Sequence, residues 1–205
     1  SQSSERHDYS GAGKLLELVE RIHDIPGIER IRLGSLEPRI VTVESAKRLA
    51  ALPKICPHFH LSLQSGCDET LKRMNRRYTT EQFKESVQAL RAAFENPAVT
   101  TDVIVGFPGE TEEKFRKTVD YLEDISLYEM HIFKYSIRTG TIAAKMPNQV
   151  SDTVKSERSD VLLDMEARFS KQYREMYVGR EVSVLFEEEK EILGQKYQIG
   201  HTCQY

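Results

Sequence analysis

Apolar residues recur at three- and four-residue intervals over 14–24 (KLLELVERIHD), the spacing of one helix face. Pro26 and Gly27 then break the chain. Residues 28–33 (IERIRL) read as a short strand, followed by a loop over 34–38 (GSLEP). Residues 43–52 return to helical spacing, and Pro53 closes that helix. Residues 59–63 read as a strand and 68–74 as the start of a helix, with Thr79 and Thr80 placed to cap another over 81–95. The apolar strand 99–105 (VTTDVIV) runs into a tight turn, 106–109 (GFPG). Thr111 caps a helix over 112–124, where Glu112 and Glu113 suit the positive end of its dipole. A strand over 129–135 and a long charged helix over 154–177, which Gly179 terminates, complete the pattern.

After about residue 178 the texture changes. Residues 181–187 and 195–205 read as antiparallel strands, turning near Leu193 and Gly194. Before that point, strand followed by helix recurs about four times, which predicts an α/β fold of parallel βα units. An eight-fold barrel needs roughly 250 residues. At 205 residues the chain predicts at most a partial, truncated (β/α) barrel followed by the start of a small all-β module.

Composition narrows the class. With 39% hydrophobic and 30% charged residues, the chain suits a soluble globular protein with a sizeable core. No run approaches the roughly 18 apolar residues of a membrane span, and no secretory signal opens the chain. A formal net charge of −3 makes the whole surface a poor magnet for nucleic acid, while local basic clusters remain able to bind phosphate. Cys56, Cys67 and Cys203 show neither CxxC nor CxxxCxxC spacing, so no zinc or iron–sulfur site built within this chain is expected. A reducing, cytoplasmic location is the default. The missing initiator Met and the end inside a strand suggest a fragment of a longer protein.

In βα folds, ligands collect at the C-terminal strand ends. Three segments lie there. Residues 34–38 bring Ser35 and Glu37, where a buried Glu could bind hydroxyls or an amine, or the loop could simply cap a helix. Residues 64–68 (QSGCD) bring Gln64 and Ser65, with Gly66 for the turn and a helix start that attracts carboxylate or phosphate; an ordinary capped loop explains them equally well. Residues 106–110 bring Gly106 and Gly109, which permit close approach of a ligand or simply make a tight turn. Lys72, Arg73, Arg76 and Arg77 follow the second segment and form either an anion site or a solvated face. His58 and His60 share a strand face with no third ligand nearby, so structural roles are expected. No Ser-His-Asp set or phosphate-binding P-loop is evident.

Residues 60–79 (HLSLQSGCDETLKRMNRRYT) and 102–115 (DVIVGFPGETEEKF) resemble the methylthiotransferase branch of the radical S-adenosylmethionine (radical SAM) enzymes. Residues 30–38 (RIRLGSLEP) are more similar to the bacterial tRNA N6-threonylcarbamoyladenosine methylthiotransferases than to the isopentenyladenosine or ribosomal-protein branches. The resemblance runs from about residue 14 to 205. It implies a radical SAM barrel portion over 1–177 and the start of an RNA-binding TRAM domain over 178–205, where GHT fits the family and Cys203 departs from it.

The resemblance also implies a chemistry. The family binds SAM beside one 4Fe-4S cluster held by CxxxCxxC, and a second 4Fe-4S cluster in a preceding domain; neither ligand set is in this chain. By position, Gln64 and Ser65 would face SAM, Arg76 or Lys72 would pair its carboxylate, and Gly106 to Gly109 would lie near the adenine. Glu37 would sit near the substrate or the SAM amine. The implied partners are tRNA, at anticodon-loop adenosine 37, and a reductant for the cluster, with no membrane. The whole enzyme would put a methylthio group on C2 of that adenosine, and this chain by itself would be inactive. The competing expectations are the other two methylthiotransferase branches, an RNA-binding module without catalysis, and an aldolase-like barrel.

Overall fold

The computed structural model describes residues 10–204. Four strands, β1 (Ser35–Leu36), β2 (His58–Leu61), β3 (Ala98–Val105) and β4 (Glu129–Lys134), form one parallel sheet in that order. Sequential parallel neighbours demand crossovers, and helices supply them. These are α2 (Val43–Ala50), α3 (Asp68–Arg73), α4 (Thr80–Ala93) and α5 (Glu112–Ile125), with α1 (Ser10–His23) before them and α6 (Asp152–Glu175) after. Among the described residues, no helix is long and apolar enough to cross a membrane.

Register divides the sheet into two unlike faces. Leu36 lies beside Leu61, Phe59 beside Val99, and Thr101 beside Met130. These side chains, with Val103 and Val105, join the buried core with Phe83, Leu90, Leu122 and Leu162 of the helices. The alternate positions face the other way, and among them His60, Asp102 and His131 keep contact with solvent.

Helix starts follow side-chain caps. Thr79 and Thr111 accept the backbone N–H of Gln82 and Lys114, as their positions in the sequence predict. Thr42 and Ser151 cap α2 and α6 in the same way, and Ser151 starts α6 two residues ahead of the expected 154.

Two expected elements differ. Residues 28–33 form no strand; among them Ile31 makes a single parallel bridge with Ile55. Their neighbours' side chains turn outward instead: Arg30 donates to the carbonyls of His201 at 3.0 Å and Ser183 at 3.3 Å, and Arg32 to that of Thr202 at 2.9 Å. The strand expected over 181–187 lies further on, as β5 (Leu185–Ile192), paired antiparallel with β6 (Gln195–His201). Leu193 (φ 51°) and Gly194 (φ 76°) are both left-handed, as a two-residue type I′ hairpin turn requires. That turn sets the register, so the charged run 188–191 pairs although β5 is exposed along its whole length; a bulge at Glu187 interrupts the ladder. The expected second strand stops at His201, and Tyr205 lies outside the described residues.

Phe59 is fully buried, its ring 4.9 Å from that of Phe94. Phe59→Ala is expected to cost about 3–5 kcal/mol of unfolding free energy, measured by chemical denaturation.

Candidate functional site

The turn after β3 is fixed from inside. Glu110 is buried, and its Oε1 accepts the Gly106 N–H at 2.8 Å. Arg158, buried on α6, donates to the same Oε1 at 2.8 Å and to the Glu110 carbonyl at 3.1 Å. Burial pushes the Glu110 carboxyl above its ordinary range, against the pull of the Gly106 N–H and Arg158. Arg73 of α3 donates to the Pro108 carbonyl at 2.9 Å. A Cβ on Gly106 would lie 2.3 Å from Lys155 Cγ, and one on Gly109 2.8 Å from the Arg73 guanidinium. The close approach these glycines permit is therefore filled by Lys155 and Arg73, and both also need positive φ.

Gln64 follows β2 with φ 72°, a strained conformation for a residue with a side chain. Its N–H donates to Asp102 at 2.8 Å and its carbonyl accepts from Ile104 at 2.9 Å, so β3 holds it there. Its side chain enters a cavity of about 460 Å³, shared with Asp102, Phe107, Phe133, Tyr135 and Arg138. The buried Tyr135 hydroxyl has no hydrogen-bond partner among the described residues.

A second cleft of about 350 Å³ adjoins the ends of β1 and β2, lined by Glu37, Arg39, Ser62, Arg76 and Arg77. Glu37 Oε1 accepts from Arg39 Nε at 2.6 Å. Tyr78 pins this wall by donating to the Leu63 carbonyl at 3.0 Å, and burial pushes its hydroxyl up to about 12.

The residues singled out from sequence thus separate. Gln64 lines one cavity; Glu37 and Arg76 line the other. Lys72 is exposed and lines neither. Ser65 is buried, its hydroxyl 3.3 Å from Thr118 Oγ1 and 3.3 Å from the Cys67 N–H it accepts. Cys67 is a free, buried thiol at the start of α3. A cavity of about 360 Å³ lined by Tyr128 and Tyr173 opens at the opposite ends of the strands.

The solvent-side sheet face holds what the sequence reading missed. His60 Nε2 lies 3.3 Å from Asp102 Oδ2, and His131 Nδ1 lies 3.2 Å from Asp102 Oδ1. The two imidazoles stack with centroids 5.5 Å apart, and His60 Nδ1 lies 3.0 Å from Thr100 Oγ1. A lone acid inside the apolar run VTTDVIV is the signal that could have found it. Next to it, burial, with Arg32, His60 and His131, pushes the His58 imidazole down to about 4.

A parallel sheet whose strand ends carry two polar clefts invites comparison with known proteins. Residues 4–122, more than half of the chain, match the Radical SAM superfamily, and the chain belongs to it. Its sequence is similar to proteins named as methylthiotransferases. It is 40% identical over 199 residues to the threonylcarbamoyladenosine tRNA methylthiotransferase MtaB of Bacillus subtilis, covering 97% of the chain and 44% of that protein. It is also 40% identical over 174 residues to the tRNA-2-methylthio-N(6)-dimethylallyladenosine synthase of Pelotomaculum thermopropionicum, covering 85% of the chain and 39% of that protein. The chain thus spans less than half the length of these relatives. The Escherichia coli coproporphyrinogen III oxidase HemN, a radical SAM enzyme, shares the fold with a TM-score of 0.60 at 17% identity, over 78% of this chain and 37% of that one.

Glu110→Ala is expected to cost about 3–5 kcal/mol in chemical denaturation, because it strands a buried guanidinium. The double variant with Arg158→Leu should recover part of that loss. Unfolded His58 takes up a proton near its ordinary 6.5 and folded His58 only near 4, so stability drops as pH falls through that window. The melting temperature of His58→Gln should decline less steeply there than that of the unaltered chain.

Proposed function

We propose that this chain is part of a tRNA methylthiotransferase that modifies C2 of N6-threonylcarbamoyladenosine at position 37 of tRNA. The observation that carries the reading is the cavity where strained Gln64 meets the unpartnered Tyr135 hydroxyl at the strand ends. The relationship to MtaB over 97% of the chain supports it. The RIRLGSLEP stretch favours the threonylcarbamoyl base over the dimethylallyl one, since relatives of both kinds reach 40% identity.

The cavity fits SAM. Phe107 and Phe133 offer apolar surface to an adenine, Gln64 offers an amide, and the Tyr135 hydroxyl has hydrogen-bonding capacity to spare. In the separate cleft at the ends of β1 and β2, Arg76 would pair a carboxylate, and Glu37 an amine. When bound, SAM with a reduced 4Fe-4S cluster would supply the radical chemistry needed at C2. This chain binds and orients: Gln64 is locked to β3, and the Glu110–Arg158 pair holds the turn that carries Phe107. The ligands of both clusters belong to other parts of the enzyme, since the three cysteines here lack CxxxCxxC spacing. Exposed Lys72 and Arg77 would meet tRNA phosphates, and residues from 178 onward would begin the RNA-binding TRAM module. The setting is the cytoplasm, where a reductant can serve the clusters.

In the whole enzyme, Gln64→Ala and Arg76→Ala are each expected to raise the SAM concentration needed for half-maximal turnover about tenfold or more, while exposed Lys171→Ala leaves it unchanged. Equal SAM dependence in all of them would remove Gln64 and Arg76 from the site. This chain by itself, given iron and sulfide anaerobically, should show no stoichiometric 4Fe-4S absorbance, and its appearance would overturn the assignment of the clusters elsewhere.

A further inference from the structure

We propose that His60, Asp102 and His131 bind a divalent transition-metal ion of the zinc class. The three residues stand on three adjacent strands. The parallel register sets Asp102 beside His131 and Thr100 beside His60, so all three side chains leave the same face. Their donor atoms all lie within 4.8 Å of one another. Bonds of about 2.0–2.2 Å bring the ligand atoms of a zinc site to roughly 3–4 Å apart, which small side-chain rotations supply. Two imidazoles and one carboxylate suit zinc, cobalt, nickel or ferrous ions and disfavour calcium or magnesium, which want all-oxygen shells.

Two further observations fit a metal. Thr100 Oγ1 sits 3.0 Å from His60 Nδ1, where an outer partner fixes the ring and leaves Nε2 directed at the site. Asp102, with its side chain 27% exposed, has no Lys or Arg partner within 4.0 Å among the described residues. A divalent ion would bring this carboxylate a full cationic partner. With three protein ligands the ion keeps open positions, the arrangement of zinc sites that engage a ligand. Asp102 also lines the Gln64–Tyr135 cavity, so those positions can take water or a carboxylate or phosphate oxygen of a molecule held there. The inference rests on this geometry and stands whether or not the methylthiotransferase reading holds.

The test is a titration of the chelator-treated chain with Co²⁺, followed by visible ligand-field absorption and calorimetry, with Zn²⁺ as competitor. One Co²⁺ per chain, displaced by Zn²⁺ and raising the melting temperature, is the expected result. His131→Ala and Asp102→Asn should each weaken binding about a hundredfold or more. His201→Ala, which alters a histidine paired with Glu187 on the ribbon, should leave it unchanged. The His131 side chain is 57% exposed, so His131→Ala keeps the fold if Asp102→Asn does not. Absent Co²⁺ binding, or affinity unaltered in His131→Ala, would overturn the proposal and leave a hydrogen-bonded His–Asp–His cluster.

Discussion

The buried pair of Glu110 and Arg158 is the constraint on which the strand-end architecture rests. Both side chains have left water, so losing either would strand a buried charge on the other, with Glu112 at 3.5 Å as a further, exposed partner of Arg158. Gly106 adds a third member through its N–H. The pair binds the β3 turn to α6. That helix lies along β4 and β3 through Leu162, Met165 and Phe169, with Tyr173 against Tyr128 at 4.3 Å between centroids. The cavity wall at Phe107 is thereby attached to an element some 50 residues away in sequence.

The sheet's two faces divide the labour. One is apolar and belongs to the core; the other gathers imidazoles, a carboxylate and hydroxyls in the middle of regular strands. Polar groups there escape the usual cost of burial because they bond to one another across strands and keep access to solvent. Gln64 connects this face to the rim, since the backbone that strains it also pairs with β3 at Asp102 and Ile104.

The helices and their threonine caps were legible because periodicity and capping are local signals, as at Thr79 and Thr111. Residues 28–33 misled because alternation was present but Arg30 and Arg32 were committed to the far end of the chain. Glu37, Gln64 and Arg76 could be placed at strand ends from the βα order. The inward turn of Ser65 onto Thr118 could not, because it depends on the packing of α5 against that loop. His60, Asp102 and His131 escaped notice for a related reason: sequence shows the spacing within a strand, while register between strands is a tertiary fact.

The attachment of the β5–β6 ribbon has a further meaning. Arg30 and Arg32 hold it chiefly by the carbonyl oxygens of Ser183, His201 and Thr202, with the Ser183 hydroxyl as an addition. A carbonyl oxygen is the same whatever side chain its residue carries. Mutational drift can therefore rewrite both surfaces of the ribbon, and with them what it touches, while the two arginines keep it seated. The contrast is Gly200, where a Cβ would lie 2.3 Å from the Leu185 carbonyl: that position, like the left-handed Gly194 of the turn, resists a side chain.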